Sequence, residues 1–249
     1  MEVQPSNPPS FSLSVIIFAL NEEENLRGVI EETLADLKSC QPYPISEYQL
    51  VLVDDGSTDG TLSLMENFSK NHPEITVMSH AMNQGIGIAV KTGFSACRMD
   101  YITILPADGQ VTLSEIKKLI PSVLDGADMA LGYYTQRGDI DGLYRLILSK
   151  GLRHWMNFML GTQRPMDGVY LFRRTMLRSL PLKSETFFVN LELPVRAIRE
   201  KYDVRSIPVE VKPRRSGSSK VLGWKRILKV GGDVLKFRLH LLEEKITKN

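Results

Sequence analysis

Short apolar runs alternate with longer amphipathic stretches along the first half of the chain. Leu13–Ala19 is an almost unbroken apolar run rich in β-branched residues, and similar runs lie at Gln49–Asp54, at Glu74–Ser79 and from Tyr101 onward. Such runs are typical of strands covered on both faces. Between them, apolar residues recur at the three- and four-residue spacing of helices. Alternating strands and helices with short connections predict a mainly parallel sheet flanked by helices.

The polar residues around the predicted helix starts suggest capping boxes. Asn21 and Glu24 form one such pair, and Thr112 and Glu115 form another. Pro121 falls inside the helix that follows Thr112, so we expect that helix to kink or end there.

The strand that begins at Tyr101 ends abruptly in Pro-Ala-Asp-Gly-Gln. This ending predicts a tight turn carrying Asp108 and Gln110 at the carboxyl edge of the sheet, where open α/β sheets bind ligands. Two oxygen donors on either side of a backbone reversal suit a hard divalent cation that also holds phosphate oxygens. An ordinary Asp-Gly turn would give the same pattern, so this stretch alone leaves both interpretations open.

A second acidic turn follows the strand that ends at Asp54. Carboxylates at a strand tip accept hydrogen bonds from a base edge or from ribose hydroxyls, and Gly56 lets the backbone come close to a ligand. Helix capping accounts for Thr58 and Asp59. It does not account for Asp54 and Asp55, which precede the helix and should repel each other unless a ligand or cation shares them.

Composition and charge limit the classes of function. The 249 residues are 43% hydrophobic and 24% charged, with a formal net charge of +2, as in ordinary globular proteins and unlike nucleic-acid-binding ones. The basic excess lies mainly after Arg137.

The two cysteines, Cys40 and Cys97, have no metal-ligand spacing, which predicts a reducing compartment. No apolar run approaches the roughly 18 residues of a membrane span. Residues 1–10 lack the regions of a signal peptide and are expected to form a flexible lead-in.

Four sequence blocks taken together resemble the inverting family 2 glycosyltransferases. Ser14–Leu26 is similar to the family's first strand and helix start, Val51–Thr61 to its acidic signature, Asn83–Gly93 to its glycine-containing helix start, and Ile104–Gln110 to its metal-binding element. Within the family, the chain is most similar to polyprenyl-phosphate glycosyltransferases of the dolichyl-phosphate mannose synthase type. The second half matches more loosely, through Arg145–Ser149, Gly168–Arg174 and Arg214–Lys220.

The resemblance implies a fold and a division of the chain. It implies a glycosyltransferase A-type, single Rossmann-like domain with a mainly parallel sheet. A nucleotide-sugar-binding half would occupy residues 11–132, an acceptor-binding half residues 133–220, and a C-terminal amphipathic segment residues 221–249.

The resemblance also assigns candidate site residues, some of which the turns already suggested. Asp108 and Gln110 would hold Mg²⁺ or Mn²⁺, with Asp108 also counted as catalytic. The acceptor phosphate would be held by Arg137, Arg145 and Ser149. The donor would be bound by Ala19, Asn21, Glu22, Asp54, Asp55, Gly56, Lys91, Arg214 and Lys220. A solvated side chain is the more usual outcome for a lysine such as Lys91.

Three positions depart from the family pattern. Pro106 stands where relatives carry the first metal-site aspartate, Leu20 where they carry an aromatic residue, and Arg164 where they carry an aspartate for which Asp167 would substitute. The first departure leaves Asp108 and Gln110 as the protein ligands of the cation, to be completed by donor diphosphate and water.

The implied reaction moves a sugar from a GDP- or UDP-linked donor to a polyprenyl phosphate with inversion. A lipid phosphate needs no general base, since its oxygen is already anionic at neutral pH. This fits a sequence whose histidines, His80 among them, look like surface or packing residues. Two alternatives stay open: transfer to a carbohydrate hydroxyl with Asp167 as base, and a catalytically impaired sugar-nucleotide-binding protein.

A polyprenyl acceptor predicts contact with a membrane, most simply at its cytoplasmic face. Lys150–Leu160, with Trp155, and Val221–Leu242, with Trp224, combine apolar and basic residues in the manner of interfacial helices. Ordinary amphipathic helices packed on the sheet would show the same pattern, and both interpretations remain open.

Overall fold

In the computed structural model, the described residues are 11–39, 45–134, 168–211 and 231–241. Within these ranges seven strands form one sheet: β1 (Phe11–Ala19), β2 (Ile45–Asp54), β3 (Ile75–Ser79), β4 (Tyr101–Pro106), β5 (Met129–Tyr134), β6 (Gly168–Arg173) and β7 (Val204–Val209). The described helices are α1 (Glu23–Lys38), α2 (Thr61–Asn71), α3 (Ile86–Ala96), α4 (Leu113–Lys117), α5 (Ile120–Leu124), α6 (Met176–Ser179), α7 (Val189–Arg199) and α8 (residues 231–241).

The strand order in the sheet is β3-β2-β1-β4-β6-β5-β7. β1 is parallel to β2 and β4, β2 is parallel to β3, and β5 is parallel to β7, whereas β6 runs antiparallel between β4 and β5. The predicted mainly parallel sheet is thus confirmed, with one reversed strand. β1 lies at the centre of the parallel half, so the ends of β2, β1 and β4 are neighbours at one edge.

Alternating residues of the central strand enter two separate apolar layers. Val15 and Ile17 face a layer that contains α1, α4 and α5, while Ile16 faces a layer that contains α3, α7 and α8. All three side chains are fully buried. Both faces of β1 are therefore covered, as its unbroken apolar run predicts.

The small residues of α3 allow this helix to lie close to its neighbours. A Cβ on Gly93 would come within 2.7 Å of Ile16 Cγ2, and a Cβ on Gly87 would collide with the backbone of Glu185. At Gly87 and Gly93, therefore, the absence of a side chain is what permits this close packing.

The predicted capping boxes are not formed. α1 begins at Glu23 with Glu22 as its N-cap residue, because Asn21 adopts a left-handed conformation (φ 52°) in the turn before the helix. Thr112 is the N-cap residue of α4 as expected, but among the described residues its side chain makes no capping hydrogen bond. The expected break at Pro121 is confirmed, since α4 ends at Lys117 and α5 starts with Pro121 in its first turn.

α8 has one face turned into the protein, against α7, and one face outward. Val234, Phe237 and Leu241 are buried in the second apolar layer, whereas Leu235 and Leu239 are 50% and 60% exposed. A helix is therefore present over residues 231–241, and Phe237 packs edge-on against Phe188 at 5.3 Å, while the choice between the two interpretations stays open. Among the described helices, none combines the length and the apolar character needed to cross a membrane.

Candidate active site

The ends of three parallel strands bring the candidate residues to one edge of the sheet. Ala19 at the end of β1 is in register with Asp54 at the end of β2, and Phe18 is in register with Pro106 at the end of β4. Neighbouring strands lie about 4.8 Å apart, so the ends of β2 and β4 are separated by about 10 Å. An extended ligand such as a nucleoside diphosphate can bridge that separation.

The turn after β4 has a buried side and an accessible side. Ala107, Gly109 and Val111 are buried, and Ala107 and Val111 belong to the layer that contains α1, whereas Asp108 and Gln110 are half-buried. Gly109 has a positive φ of 69°, and the backbone N–H of Gln110 donates to Asp108 Oδ1 at 3.1 Å. The predicted tight turn is confirmed, and packing against α1 fixes it.

The donor atoms at this turn fit a hard cation that is also bound by a ligand. Asp108 supplies a carboxylate and Gln110 an amide oxygen, both of which Mg²⁺ and Mn²⁺ accept. Within the described ranges, no group of three or more His, Cys, Asp or Glu residues is arranged to hold a metal ion. A cation at this turn would therefore need phosphate oxygens and water to complete its shell. Metal binding by Asp108 and Gln110 stays a prediction.

Asn21 connects the end of β1 to the acidic turn after β2. Its Oδ1 accepts a hydrogen bond from the Thr58 backbone N–H at 2.8 Å, and its own N–H donates to Ser57 Oγ at 2.9 Å. The next N–H, that of Glu22, donates to Thr61 Oγ1 at 2.9 Å. The predicted donor residues Asn21 and Glu22 thus also determine the shape of the neighbouring turn.

Asp59 belongs to the start of α2 rather than to the strand tip. Its Oδ1 accepts from the backbone N–H of Thr61 at 3.0 Å. Burial opposes ionisation of this carboxyl, but hydrogen bonds from Thr61 and Glu23 outweigh it, and the pKa of Asp59 is lowered. The prediction that Thr58 and Asp59 cap the helix is met only in part: the N-cap residue is Gly60, and Asp59, one residue earlier, accepts from the N–H of the first helical residue.

Asp54 and Asp55 are both buried and have separate partners. Asp54, 1% exposed, accepts from the Ser57 backbone N–H at 3.2 and 3.3 Å. Asp55, 5% exposed, accepts from the backbone N–H groups of Gln84 at 3.0 Å and Gly85 at 2.9 Å. The two carboxylates thus have separate donors, one N–H group for Asp54 and two N–H groups together with His80 for Asp55, and a ligand shared between them stays a prediction. Contact of either residue with a sugar nucleotide stays a prediction.

The side chain of His80 makes hydrogen bonds to two other parts of the fold, which the sequence did not predict. Its Nδ1 lies 2.8 Å from Asp55 Oδ1 and its Nε2 lies 2.9 Å from Thr92 Oγ1, with its side chain only 9% exposed. The expected surface location is wrong for His80, and the expected packing role did not include the hydrogen bonds that both ring nitrogens make. The available signal was its position directly after β3, beside the strand that ends in Asp54.

Lys91 lies on the α3 side of the sheet. It lines an open groove of about 240 Å³ together with Phe94, Ser95 and four residues of the segment after β6, namely Leu177, Leu180, Pro181 and Leu182. Phe94 and Leu180 belong to the apolar layer on this face. Contact of Lys91 with a diphosphate at the strand ends stays a prediction.

The buried ion pair of Glu192 and Arg196, which the sequence did not predict, supports the segment that begins at Lys183 and lies beside α3. Glu192 is fully buried and accepts from the backbone N–H groups of Lys183 at 3.0 Å and Ser184 at 2.8 Å, and from Arg196 Nε at 2.9 Å. The same segment continues to Glu185, whose backbone packs on Gly87. The pair thus anchors a strap, residues 183–188, against the first turn of α3.

Several predicted residues lie outside the described residues, so the structure gives no account of them. They are the acceptor-phosphate candidates Arg137, Arg145 and Ser149, the donor candidates Arg214 and Lys220, and also Arg164, Asp167, Trp155, Trp224 and Cys40.

Comparison with known proteins gives consistent results. The sequence profile described as "Glycosyl transferase family 2" matches residues 14–181, more than half of the chain. Polyprenol monophosphomannose synthase of Mycolicibacterium smegmatis is 29% identical over 227 residues, which cover 86% of this chain and 83% of the relative. Dolichol-phosphate mannosyltransferase of Pyrococcus furiosus is 28% identical over 218 residues, covering 85% of this chain and 59% of the relative.

A solved structure shares the fold. Glucosyl-3-phosphoglycerate synthase from Mycobacterium tuberculosis, in complex with Mn²⁺, uridine diphosphate and glucosyl-3-phosphoglycerate, superimposes with a TM-score of 0.67. The two chains are 21% identical, and the match covers 92% of this chain and 80% of the other. At this identity the likeness concerns architecture, and it confirms the predicted glycosyltransferase A-type fold.

Proposed function

The chain belongs to glycosyl transferase family 2, and we propose that it moves a sugar from a nucleotide-diphosphate sugar to a polyprenyl phosphate with inversion at the anomeric carbon. The observation that carries this proposal is the pairing of two turns at one sheet edge, Asp54–Gly56 after β2 and Asp108–Gln110 after β4. The names of the similar proteins, which act on polyprenol or dolichol phosphates, support the choice of acceptor.

We propose that the donor lies across the ends of β2, β1 and β4. Its nucleoside would lie near Asp54–Gly56 and the end of β1 at Ala19–Glu22, and its diphosphate near Asp108. The roughly 10 Å between the ends of β2 and β4 supports this orientation, because it is close to the length of a nucleoside diphosphate. Asp108 and Gln110 would hold Mg²⁺ or Mn²⁺, which supplies charge stabilisation to a leaving diphosphate.

The bond changes require no protein base. A phosphate oxygen of the acceptor forms a bond to the anomeric carbon while the bond from that carbon to the diphosphate oxygen breaks. The electron pair leaves with the diphosphate. Because the attacking oxygen is anionic before the reaction, no proton has to be removed from it. In this proposal Arg137, Arg145 and Ser149 bind the acceptor phosphate, and Lys91, Arg214 and Lys220 contribute cations to the diphosphate.

We infer that the protein touches the membrane that contains its lipid acceptor. The outward face of α8 supports this inference, because Leu235 and Leu239 are exposed one helical turn apart and Lys236 is exposed beside them. Exposed apolar side chains flanked by a basic residue are typical of helices that lie at a bilayer surface. The opposite face of α8 is anchored in the protein core by Val234 and Phe237.

The proposal is tested by incubating the protein with polyprenyl phosphate, Mg²⁺ or Mn²⁺, and a panel of GDP- and UDP-sugars. The expected products are a lipid-linked sugar and free nucleoside diphosphate, formed only with a cation present. Transfer to a sugar hydroxyl but not to the lipid phosphate would indicate the first alternative function. Donor binding without any product would indicate a catalytically impaired binding protein.

A variant at the turn tests the site itself. Asp108→Asn should reduce turnover by about a hundredfold or more and should weaken Mn²⁺-dependent binding of the nucleoside diphosphate, because the turn then has no carboxylate for the cation. Asp100→Asn is a matched control, since Asp100 is exposed and directly precedes β4 at the opposite edge of the sheet. Unchanged cation dependence in Asp108→Asn would show that the metal is bound elsewhere.

A further inference from the structure

Three side chains from three elements form a hydrogen-bonded relay beneath the candidate donor site. Asp55 follows β2, His80 follows β3 and Thr92 lies in the second turn of α3. With the imidazole neutral, its Nδ1–H donates to Asp55 Oδ1 and its Nε2 accepts from the Thr92 hydroxyl, at 2.8 and 2.9 Å. These two bonds link the ends of two neighbouring strands to the helix that covers them.

The relay holds the loop that connects β3 to α3. Asp55 accepts from the backbone N–H groups of Gln84 and Gly85, and Gly85 is the N-cap residue of α3 with a φ of 96°. The side of this loop that faces away from Asp55 is open to solvent, and Met82 is 71% exposed. The relay therefore holds the loop, residues 81–85, on the side that faces Asp55 and leaves its outer side accessible.

The same loop lies directly on the acidic turn. A Cβ on Gly56 would collide with the backbone of Met82 and Asn83, and Gly56 has a φ of 74°. The position of the loop thus sets the shape of the turn that carries Asp54 and Asp55. Any displacement of residues 81–85 would alter the surface at the ends of β2 and β3.

Asp55 depends on His80 because the carboxylate is buried. A buried carboxylate keeps its position only while its oxygens have hydrogen-bond donors, and donors to a charged group contribute more than donors to a neutral one. Asp55 has three donors, of which His80 is the only one supplied by a side chain within the described residues. Thr92 in turn fixes the imidazole, because its hydroxyl bonds the ring nitrogen that faces α3.

We propose that His80 and Thr92 are positioning residues for the nucleoside end of the donor. They hold Asp55 and the loop 81–85 in the shape that the nucleoside contacts, without touching the reacting atoms. The assignment to the nucleoside end follows from the strand order, since the ends of β3 and β2 lie on the far side of β1 from Asp108. This inference rests on the proposed donor site and not on the identity of the acceptor.

The test compares variants of His80 and Thr92 in binding and in kinetics. His80→Ala should raise the Kd for UDP or GDP in the presence of Mn²⁺, and the KM for the sugar nucleotide, by about tenfold, while kcat changes by about twofold or less. At saturating sugar nucleotide, the Mn²⁺ concentration for half-maximal activity should stay unchanged, because the Asp108 turn is intact. Thr92→Val should shift both constants in the same direction by a smaller factor, and Thr92→Ser, which keeps the hydroxyl, should restore them.

Hydrogen exchange adds a measurement that needs no ligand. In His80→Ala, the amides of residues 81–87 should exchange faster than in the unchanged protein, whereas those of β1 and β4 should not. His72→Asn is a matched control, because His72 Nδ1 also lies near a carboxylate, Glu74 Oε1 at 3.2 Å, but at the opposite edge of the sheet.

Several outcomes would overturn the inference. A lower melting temperature with unchanged nucleotide Kd in His80→Ala would assign the relay a structural role only, as would an equal loss of affinity in His72→Asn. Absence of UDP and GDP binding by the unchanged protein would contradict both this inference and the donor site. Nucleotide binding without transfer to polyprenyl phosphate would contradict the proposed acceptor alone, and the comparison of His80 variants would still decide the inference.

Discussion

The buried pair of Glu192 and Arg196 makes a strong prediction about stability. Glu192 is fully buried and Arg196 is 5% exposed, and Arg196 also lies over the Phe237 ring of α8 at 5.0 Å. Replacing Glu192 with Ala removes the acceptor for the N–H groups of Lys183 and Ser184 and leaves the Arg196 charge buried without its carboxylate. Both effects act against folding.

The expected magnitude follows from the burial of the pair. Breaking a buried ion pair by removing one partner costs about 3–5 kcal/mol. For a chain of this length, each kcal/mol lowers the melting temperature by about 2–4 °C, so Glu192→Ala should melt about 6–20 °C lower. Glu192→Gln keeps the shape and one acceptor oxygen, but it loses the charge and replaces the other acceptor oxygen with an NH2 donor. It should therefore cost less than Glu192→Ala, about 1–3 kcal/mol.

Urea unfolding followed by circular dichroism measures these differences. The double variant Glu192→Met, Arg196→Met should be less destabilised than Glu192→Ala, since neither charge is then left alone in the core. The control is Glu31→Ala on α1, where Arg27 and Glu31 have the same four-residue spacing but are 64% and 58% exposed. That variant should change stability by less than about 0.5 kcal/mol. A Glu192→Ala effect no larger than this control would refute the reasoning.

Three further changes test other parts of the structure. Gly87→Ala should cost about 1–3 kcal/mol in urea unfolding because its Cβ would collide with Glu185, whereas Gly232→Ala, with open space around its Cβ, should be neutral or stabilising. Leu235→Ser with Leu239→Ser should weaken binding to anionic phospholipid vesicles by about tenfold in a flotation assay, and Met82→Ser, on another exposed surface, should not. Burial raises the pKa of Cys97 from 9.0 to about 12, so the folded state keeps its proton longer than the unfolded state, and the unfolding free energy should fall as the pH rises above about 9. Burial also raises the pKa of Tyr170, with the same sign, so Cys97→Ala should reduce this alkaline slope without abolishing it.

The sequence predicted the strands well because their signal is local. A parallel strand covered on both faces needs an unbroken apolar run, and such a run is visible without knowledge of its neighbours. The predicted start of β4 at Tyr101 and the predicted ends of β1 and β2 at Ala19 and Asp54 are therefore correct, and β1 and β2 only begin earlier than predicted. The reversed direction of β6 was not predicted, since strand direction depends on the pairing with β4 and β5 and leaves no mark in the run itself.

Polar residues were predicted less well because their partners are distant in sequence. Asn21 looked like a helix cap for α1, but the partner of its side-chain oxygen is the Thr58 N–H, 37 residues away. Glu192 and Arg196 are four residues apart, a spacing that is common for exposed ion pairs on helices. Only the packing of α7 against α8 shows that this pair is buried. The turn at Asp108 was predictable because the residues that reverse the backbone, Pro-Ala-Asp-Gly, follow one another in the sequence.

Three carboxylates at this edge of the sheet divide into two that are buried and one that is half-buried. Asp54 and Asp55 are almost fully buried and accept from backbone N–H groups of their own and neighbouring turns, so their first effect is on the positions of residues 55–58 and 81–85. Asp108 is half-buried on a turn whose other side is packed against α1. This division bears on Pro106, which occupies the last position of β4. With proline at position 106, Asp108 would be the one accessible carboxylate that this turn offers to a cation. The cation would then depend more on the phosphate oxygens of the donor. In that case the cation and the nucleotide should each strengthen the binding of the other.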